Sequence, residues 1–170
     1  MKEEIFDVVN ERDVIIGQQS RGEVHRLGLK HRAMHVLMFN RRGELFLQKR
    51  SRQKDCFPGK WDSSAAGQLD CGEDYDACAI REVREELGWR LPQVPERLFK
   101  FAACPETGQE FVWVYRARAE GPFTLQPEEI ECGDWFTPAS IRSWMAERPD
   151  EFASALRLIW RRLTAAPQSH

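Results

Sequence analysis

No apolar run among the 170 residues approaches the roughly 20 that a membrane-spanning helix needs. Neither sign of charge dominates: 25 Lys and Arg stand against 27 Asp and Glu, a net charge of −2. That balance offers no general footprint for nucleic acid or an anionic membrane, so a small-molecule partner is expected, although a local basic patch is compatible with it. The chain has five cysteines, at positions 56, 71, 78, 104 and 132, and no Cys-x-x-Cys pair. An odd, scattered set argues against a disulfide framework or a zinc knuckle, and reduced structural thiols suit a reducing cytoplasm. The opening residues, Met1-Lys2-Glu3-Glu4, lead into no apolar signal region, so a cytoplasmic protein is expected. There is no internal repeat, low-complexity tract or linker. The length suits one core and is short for two, so a single domain over 1–170 is expected. A homodimer is left open.

The pattern of apolar residues and breakers predicts a mixed α+β fold. Ile5 to Ile16, around Asn10-Glu11-Arg12-Asp13, reads as a β-hairpin, and Ser20 to Leu29 fits a short helix or a loop. Met34 to Asn40 and Glu44 to Lys49, flanking Arg41-Arg42-Gly43, predict a second hairpin. Arg50 to Lys60 is a basic loop, and Trp61 to Ala66 a short strand entering Gly67. A helix is predicted over 75–87, with Glu73, Asp74 and Asp76 near its positive end and Gly88 as its C-cap. Strands are expected over Leu98 to Ala103, Glu110 to Ala119 and Glu131 to Phe136. Thr137-Pro138 starts a helix to about Glu147, a last helix is expected from about Asp150 to Leu163, and Ala166 to His170 reads as a frayed tail.

The most informative stretch is 67–89. On a helix, Glu82, Glu85 and Glu86 fall at i, i+3 and i+4 and share one face. Ile80, Val83 and Leu87 cluster on roughly the opposite face, which can be buried. Exposed like charges at this spacing repel by about 0.2–0.5 kcal/mol per pair. A Glu-rich helix is ordinarily a solvated face, but a divalent cation turns the repulsion into a binding site. Hard cations such as Mg²⁺ take oxygen ligands and sit between carboxylates and substrate phosphates.

The wider spacing is more specific. Gly67 is followed by five residues and Glu73, then after seven more by Arg81-Glu82-Val83-Arg84-Glu85-Glu86-Leu87-Gly88-Trp89. This resembles, without a mismatch, the signature of the Nudix hydrolases, which cleave nucleoside diphosphates linked to another moiety and related diphosphates. The resemblance implies a mixed β-sheet between helices, with 67–89 forming loop–helix–loop. It implies Mg²⁺, with Mn²⁺ as a substitute, held by Glu82, Glu85, Glu86 and the Gly67 carbonyl. Glu82, Glu85 and Glu86 match the metal-binding and catalytic glutamates, and Arg81 matches the arginine that orients a carboxylate of this motif, with Glu85 its i+4 partner here. Glu73 matches a structural position. Which carboxylate acts as general base stays open.

Further segments, His31-Arg32-Ala33-Met34-His35, Gln48-Lys49-Arg50-Ser51 and Pro58-Gly59-Lys60-Trp61-Asp62, resemble the Nudix branch that includes isopentenyl-diphosphate isomerase. That isomerase needs a cysteine just before the motif, where this chain has Ala66, and its upstream metal histidines are only approximated by His25 and His31. The reading is therefore a diphosphate hydrolase, with an isomerase-like enzyme or a non-catalytic ligand-binding module as the alternatives.

Several residues outside the motif are candidates beside a plainer reading. Glu110, Glu128, Glu129 or Glu131 would supply a later acidic ligand, or are simply solvated. Of the basic residues Lys49, Arg50, Arg52, Lys54 and Lys60, Arg50 and Lys60 are favoured for substrate phosphate. His25, His31 and His35 are functional or packed. Phe57, Trp61, Phe111 and Trp113 are candidates to stack on a ring, or core residues.

Overall fold

The computed structural model describes residues 3–165, so the expected tail from Ala166 lies outside the described residues. β1 (Ile5–Val9) and β2 (Ile15–Ser20) form the predicted antiparallel hairpin. Its turn is held by the Asn10 side-chain oxygen, which accepts from the N–H groups of Arg12 and Val14. The ambiguous stretch after it is a helix, α1 (Arg21–Leu27), capped by the Ser20 hydroxyl and closed by Gly28 in the left-handed conformation.

The second sheet is mixed. β3 (His31–Phe39) runs parallel to β8 (Glu110–Arg118) along its whole length, and β7 (Glu96–Phe101) lies antiparallel to β8. The predicted second hairpin is corrected in part. β3 and β4 (Leu45–Arg50) pair only at Phe39–Leu45 and then part. β4 turns instead to β9 (Ile130–Phe136) and β5 (Trp61–Asp62). The single strand expected over 61–66 is split, because β6 (Ala65–Gln68) leaves β5 to pair with β3.

Buried Ser63 and Ser64 make that crossing. The Ser64 hydroxyl accepts from the Met38 N–H at 2.8 Å and donates to the Phe46 carbonyl. One side chain thus satisfies backbone groups of the two strands where their ladder opens, as buried polar backbone requires.

Helices cover both faces, as the alternation of side chains along β3 demands. Met34, Val36 and Met38 pack with α2 (Tyr75–Leu87), whereas Ala33 and Leu37 pack toward α3 (Pro138–Glu147) and α4 (Ser154–Thr164). α2 has the predicted bounds, capped by Asp74 and closed by Gly88. Its buried face is rotated from the expected one: Val83 and Leu87 are buried, Ile80 is only half-buried, and Glu86 is buried with them. α4 starts at Ser154 rather than near Asp150, because 149–151 form a 3-10 turn and the Ala153 N–H donates to Trp61 O at 2.9 Å. No helix of the described residues is long and apolar enough to cross a membrane.

Ser64→Ala would leave the Met38 N–H and the Phe46 carbonyl buried without their partner. We expect a loss of about 1–3 kcal/mol, read as a lowered urea midpoint with an unchanged slope.

Candidate active site

The acidic face of α2, β6, the 51–60 loop and α1 surround a cleft of about 750 Å³. Its floor is set by how closely α2 approaches β6. A Cβ built on Gly67 would stand 2.3 Å from the Glu82 carboxyl carbon, so a larger residue there would have to displace the Glu82 side chain. Glu86, 5% exposed, accepts from Gln48 Nε2 at 2.6 Å and from the Ala66 N–H at 3.3 Å. Glu82 is largely buried beside it and accepts from Arg81 Nη1 at 2.9 Å.

Burial pushes the Glu86 carboxyl well above the usual carboxylate range, and the Glu82 charge beside it pushes the same way. Glu82 is also raised, by burial and then by repulsion from Glu85 against the pull of Arg81. Two such carboxyls side by side repel each other once ionised, and a divalent cation held by them would neutralise both. Two buried carboxylates with an exposed third nearby are a hard-oxygen donor set of the kind Mg²⁺ takes.

Arg81 organises this face. Nε and Nη2 bond the two oxygens of Glu73 at 2.7 and 2.8 Å, while Nη1 reaches Glu82 at 2.9 Å and Glu85 at 3.1 Å. The expected Glu85 partnership is therefore present but secondary. The bidentate partner is Glu73, which also accepts from the Asp70 N–H. Glu85 is half-exposed and turned toward Arg81, so the three glutamates share a face without converging on one point. Among the described residues, three potential donors do lie within 4.8 Å of one another at His25, Asp55 and Cys56. There, however, Arg21 Nη2 already bonds both Asp55 oxygens, at 2.9 and 3.0 Å.

Basic side chains also line the cleft, each paired with an acid: Arg21 with Asp55, Arg50 with Asp62 and Lys54 with Glu129. Arg50 lines the cleft, held by the Cys56 carbonyl at 2.9 Å and by Asp62 at 3.4 Å. Lys60 does not: its ammonium bonds the Asp150 carbonyl and lies by a separate shallow depression, since the turn at Gly59 points it away. Arg21 and Lys54 line the cleft instead. Arg21, from the stretch left open between helix and loop, had no sequence signal, whereas Lys54 belonged to the basic cluster. Gln48, which holds Glu86, showed its role only through the fold.

Of the later acids, Glu110 and Glu129 line the cleft, the latter paired with Lys54. Glu131 pairs with Lys49 and Arg52 outside it, and Glu128 is not among the lining residues. His25 and His35 line the cleft, and His35 meets Ser63 Oγ at 2.7 Å. His31 is buried and stacked on Phe6.

Comparisons with known proteins give the family and the fold. Residues 29–156 match the family model described as the NUDIX domain. The chain is 34% identical over 165 residues to an uncharacterised Nudix hydrolase of Streptomyces coelicolor, covering 94% of this chain and 91% of that one. It is similar to a solved Deinococcus radiodurans structure, with a TM-score of 0.83 at 30% identity, covering 94% and 98% of the two chains. The NUDIX domain of Shewanella oneidensis NrtR, solved with ADP ribose, shares the fold at a TM-score of 0.61 and 15% identity, over 86% and 98% of the two chains.

Glu110 gives this cleft a pH dependence. Its side chain, 19% exposed, accepts from Gln68 Nε2 at 3.4 Å, and burial pushes it up to about 7. His31 Nε2, 3.8 Å away, gives no counter-charge, because burial holds that imidazole down to about 4 while its Nδ1 faces the Leu29 carbonyl. Between its ordinary 4.5 and about 7 the folded state keeps the Glu110 proton that the unfolded chain has lost. Stability from this group therefore falls as pH rises through that window. Glu110→Gln cannot ionise. Its stability relative to the wild type should rise by on the order of 1–3 kcal/mol between pH 5 and pH 8, measured by denaturant unfolding. The opposite slope from His31 is common to both proteins and cancels.

Proposed function

The chain belongs to the NUDIX family and is a hydrolase of diphosphate linkages, and from that premise we propose an Mg²⁺-dependent enzyme acting on a nucleoside-diphosphate derivative or a related organic diphosphate, with Mn²⁺ able to substitute. In this reading Glu82, Glu85, Glu86 and the Gly67 carbonyl hold the cation. Its chemistry there is neutralisation of the phosphate oxygens and a more acidic attacking water. The observation that carries the reading is the juxtaposition in one cleft of the largely buried Glu82–Glu86 pair with Arg21, Arg50 and Lys54.

The other residues support these roles. Gln48 and the Ala66 N–H fix the Glu86 carboxyl, so its lone pairs are oriented before any ligand arrives. Arg81, tethered by Glu73, holds Glu82 and limits the swing of Glu85. Arg50, with Arg21 and Lys54, would meet the phosphate far from the carboxylates, where guanidinium groups bind in a planar, bidentate way. Position 66, where the isomerase has its cysteine, carries an alanine and so offers no thiol to move a proton, which favours hydrolysis over isomerisation.

Glu86→Gln keeps the size of the side chain and removes the charge. On a diphosphate panel assayed with Mg²⁺ and phosphate detection, we expect turnover to fall by about 10²-fold or more, with an unchanged circular dichroism spectrum. Excess chelator should abolish wild-type turnover. Unchanged rates in chelator would remove the cation from the mechanism.

A further inference from the structure

The loop from Arg50 to Lys60 contains a backbone outlier. Phe57 has φ of +49°, a conformation that bulky residues rarely adopt and that concentrates at ligand-binding sites. Its ring is also 45% exposed. An asparagine or glycine would be unstrained there and would expose no ring, so two unfavourable features coincide at one residue.

The conformation is fixed on both sides. The Cys56 carbonyl accepts from Arg50 Nε at 2.9 Å, the Phe57 carbonyl accepts from the Lys60 N–H at 3.2 Å, and the Gly59 N–H donates to Arg50 O at 3.1 Å. Asp55 is clamped by Arg21. Phe57 is thereby held at the cleft that also contains Glu82, Glu86, Arg21, Arg50 and Lys54. The other candidate aromatics are engaged elsewhere. Trp61 packs edge-on against Phe136 and Trp144, with centroids 5.4 and 5.3 Å away. Phe111 is buried beneath Lys100, and Trp113 is covered by Arg97 at 4.7 Å. Among the described residues, Phe57 has no aromatic partner.

We infer that Phe57 is a specificity-determining residue that stacks on a planar ring of the substrate, so that the enzyme prefers diphosphates bearing a nucleobase or similar heteroaromatic ring to those of alkyl chains or bare sugars. This rests on the diphosphate-hydrolase reading. Stacking tolerates many rings because each offers a π-face, which makes the contact selective for ring against no ring rather than for one base.

The test compares the full-length wild type, Phe57→Asn and Phe57→Tyr with Mg²⁺. Ring-bearing probes are ADP-ribose and thiamine diphosphate, and ringless probes are isopentenyl diphosphate and 5-phosphoribosyl 1-diphosphate. We expect Phe57→Asn to raise KM for the ring-bearing probes by about tenfold or more, with kcat and the ringless probes unaffected and Phe57→Tyr close to wild type. The Tm of Phe57→Asn should equal or exceed that of the wild type, because asparagine tolerates positive φ. An unchanged KM, an equal rise for both classes, or a lowered Tm would make Phe57 a packing residue and overturn the inference. Wild-type turnover of ringless probes alone would also overturn it while leaving the hydrolase reading intact. Turnover of neither class would overturn both.

Discussion

Glu82 and Glu86 are buried within one turn of α2, and everything around the cleft answers to that arrangement. Two carboxylates cannot both ionise in such a place without compensation. The compensation comes from three directions: Gln48 on β4, the Ala66 N–H on β6 and Arg81 on α2 itself. Each source requires its element to be at close range. Gly67 is the clearest consequence, because the Glu82 carboxyl occupies the space that a side chain at position 67 would take.

The parting of β3 and β4 makes the arrangement possible. Had they continued as a ladder, β6 would have had no edge of β3 on which to lie, and Gln48 would not face the gap. The buried Ser63–Ser64 crossing keeps the opened backbone satisfied, while Gln48 bonds both the Ser64 carbonyl and Glu86. Sheet geometry and site chemistry are therefore linked through one short polar segment. Arg81 extends the linkage outward: Glu73 holds it in a bidentate pair, which aims its remaining donors at Glu82 and Glu85.

The cleft also concentrates features that are unfavourable to stability. A buried Glu86 sits far above the usual carboxylate range, Glu110 is pushed up to about 7, and Phe57 combines positive φ with an exposed ring. Local departures from what the chain would otherwise choose are expected at functional sites, and the surrounding packing must over-determine them. Here the two apolar layers on either face of the mixed sheet supply that packing.

By itself the sequence determined the features that depend on neighbours along the chain. The bounds of α2 and α3, the caps at Gly88 and Thr137, and the shared face of Glu82, Glu85 and Glu86 all follow from helical periodicity and local hydrogen bonding. The Gly67-to-Trp89 spacing carried the family for the same reason. Only the tertiary structure decided which distant groups meet. The parallel pairing of β3 with β8 joins strands whose apolar patterns name no partner. The choice of Glu73 as the bidentate partner of Arg81 depends on how the loop before α2 folds back. A turn at Gly59 directs Lys60 away, while Arg21 and Lys54 come to the cleft from elsewhere. Of four candidate aromatics, packing engages three and leaves Phe57. Local periodicity specifies faces and caps, but the reach of a side chain across a fold is set by strand order, loop direction and the backbone groups left unpaired, and those exist only once the chain has closed on itself.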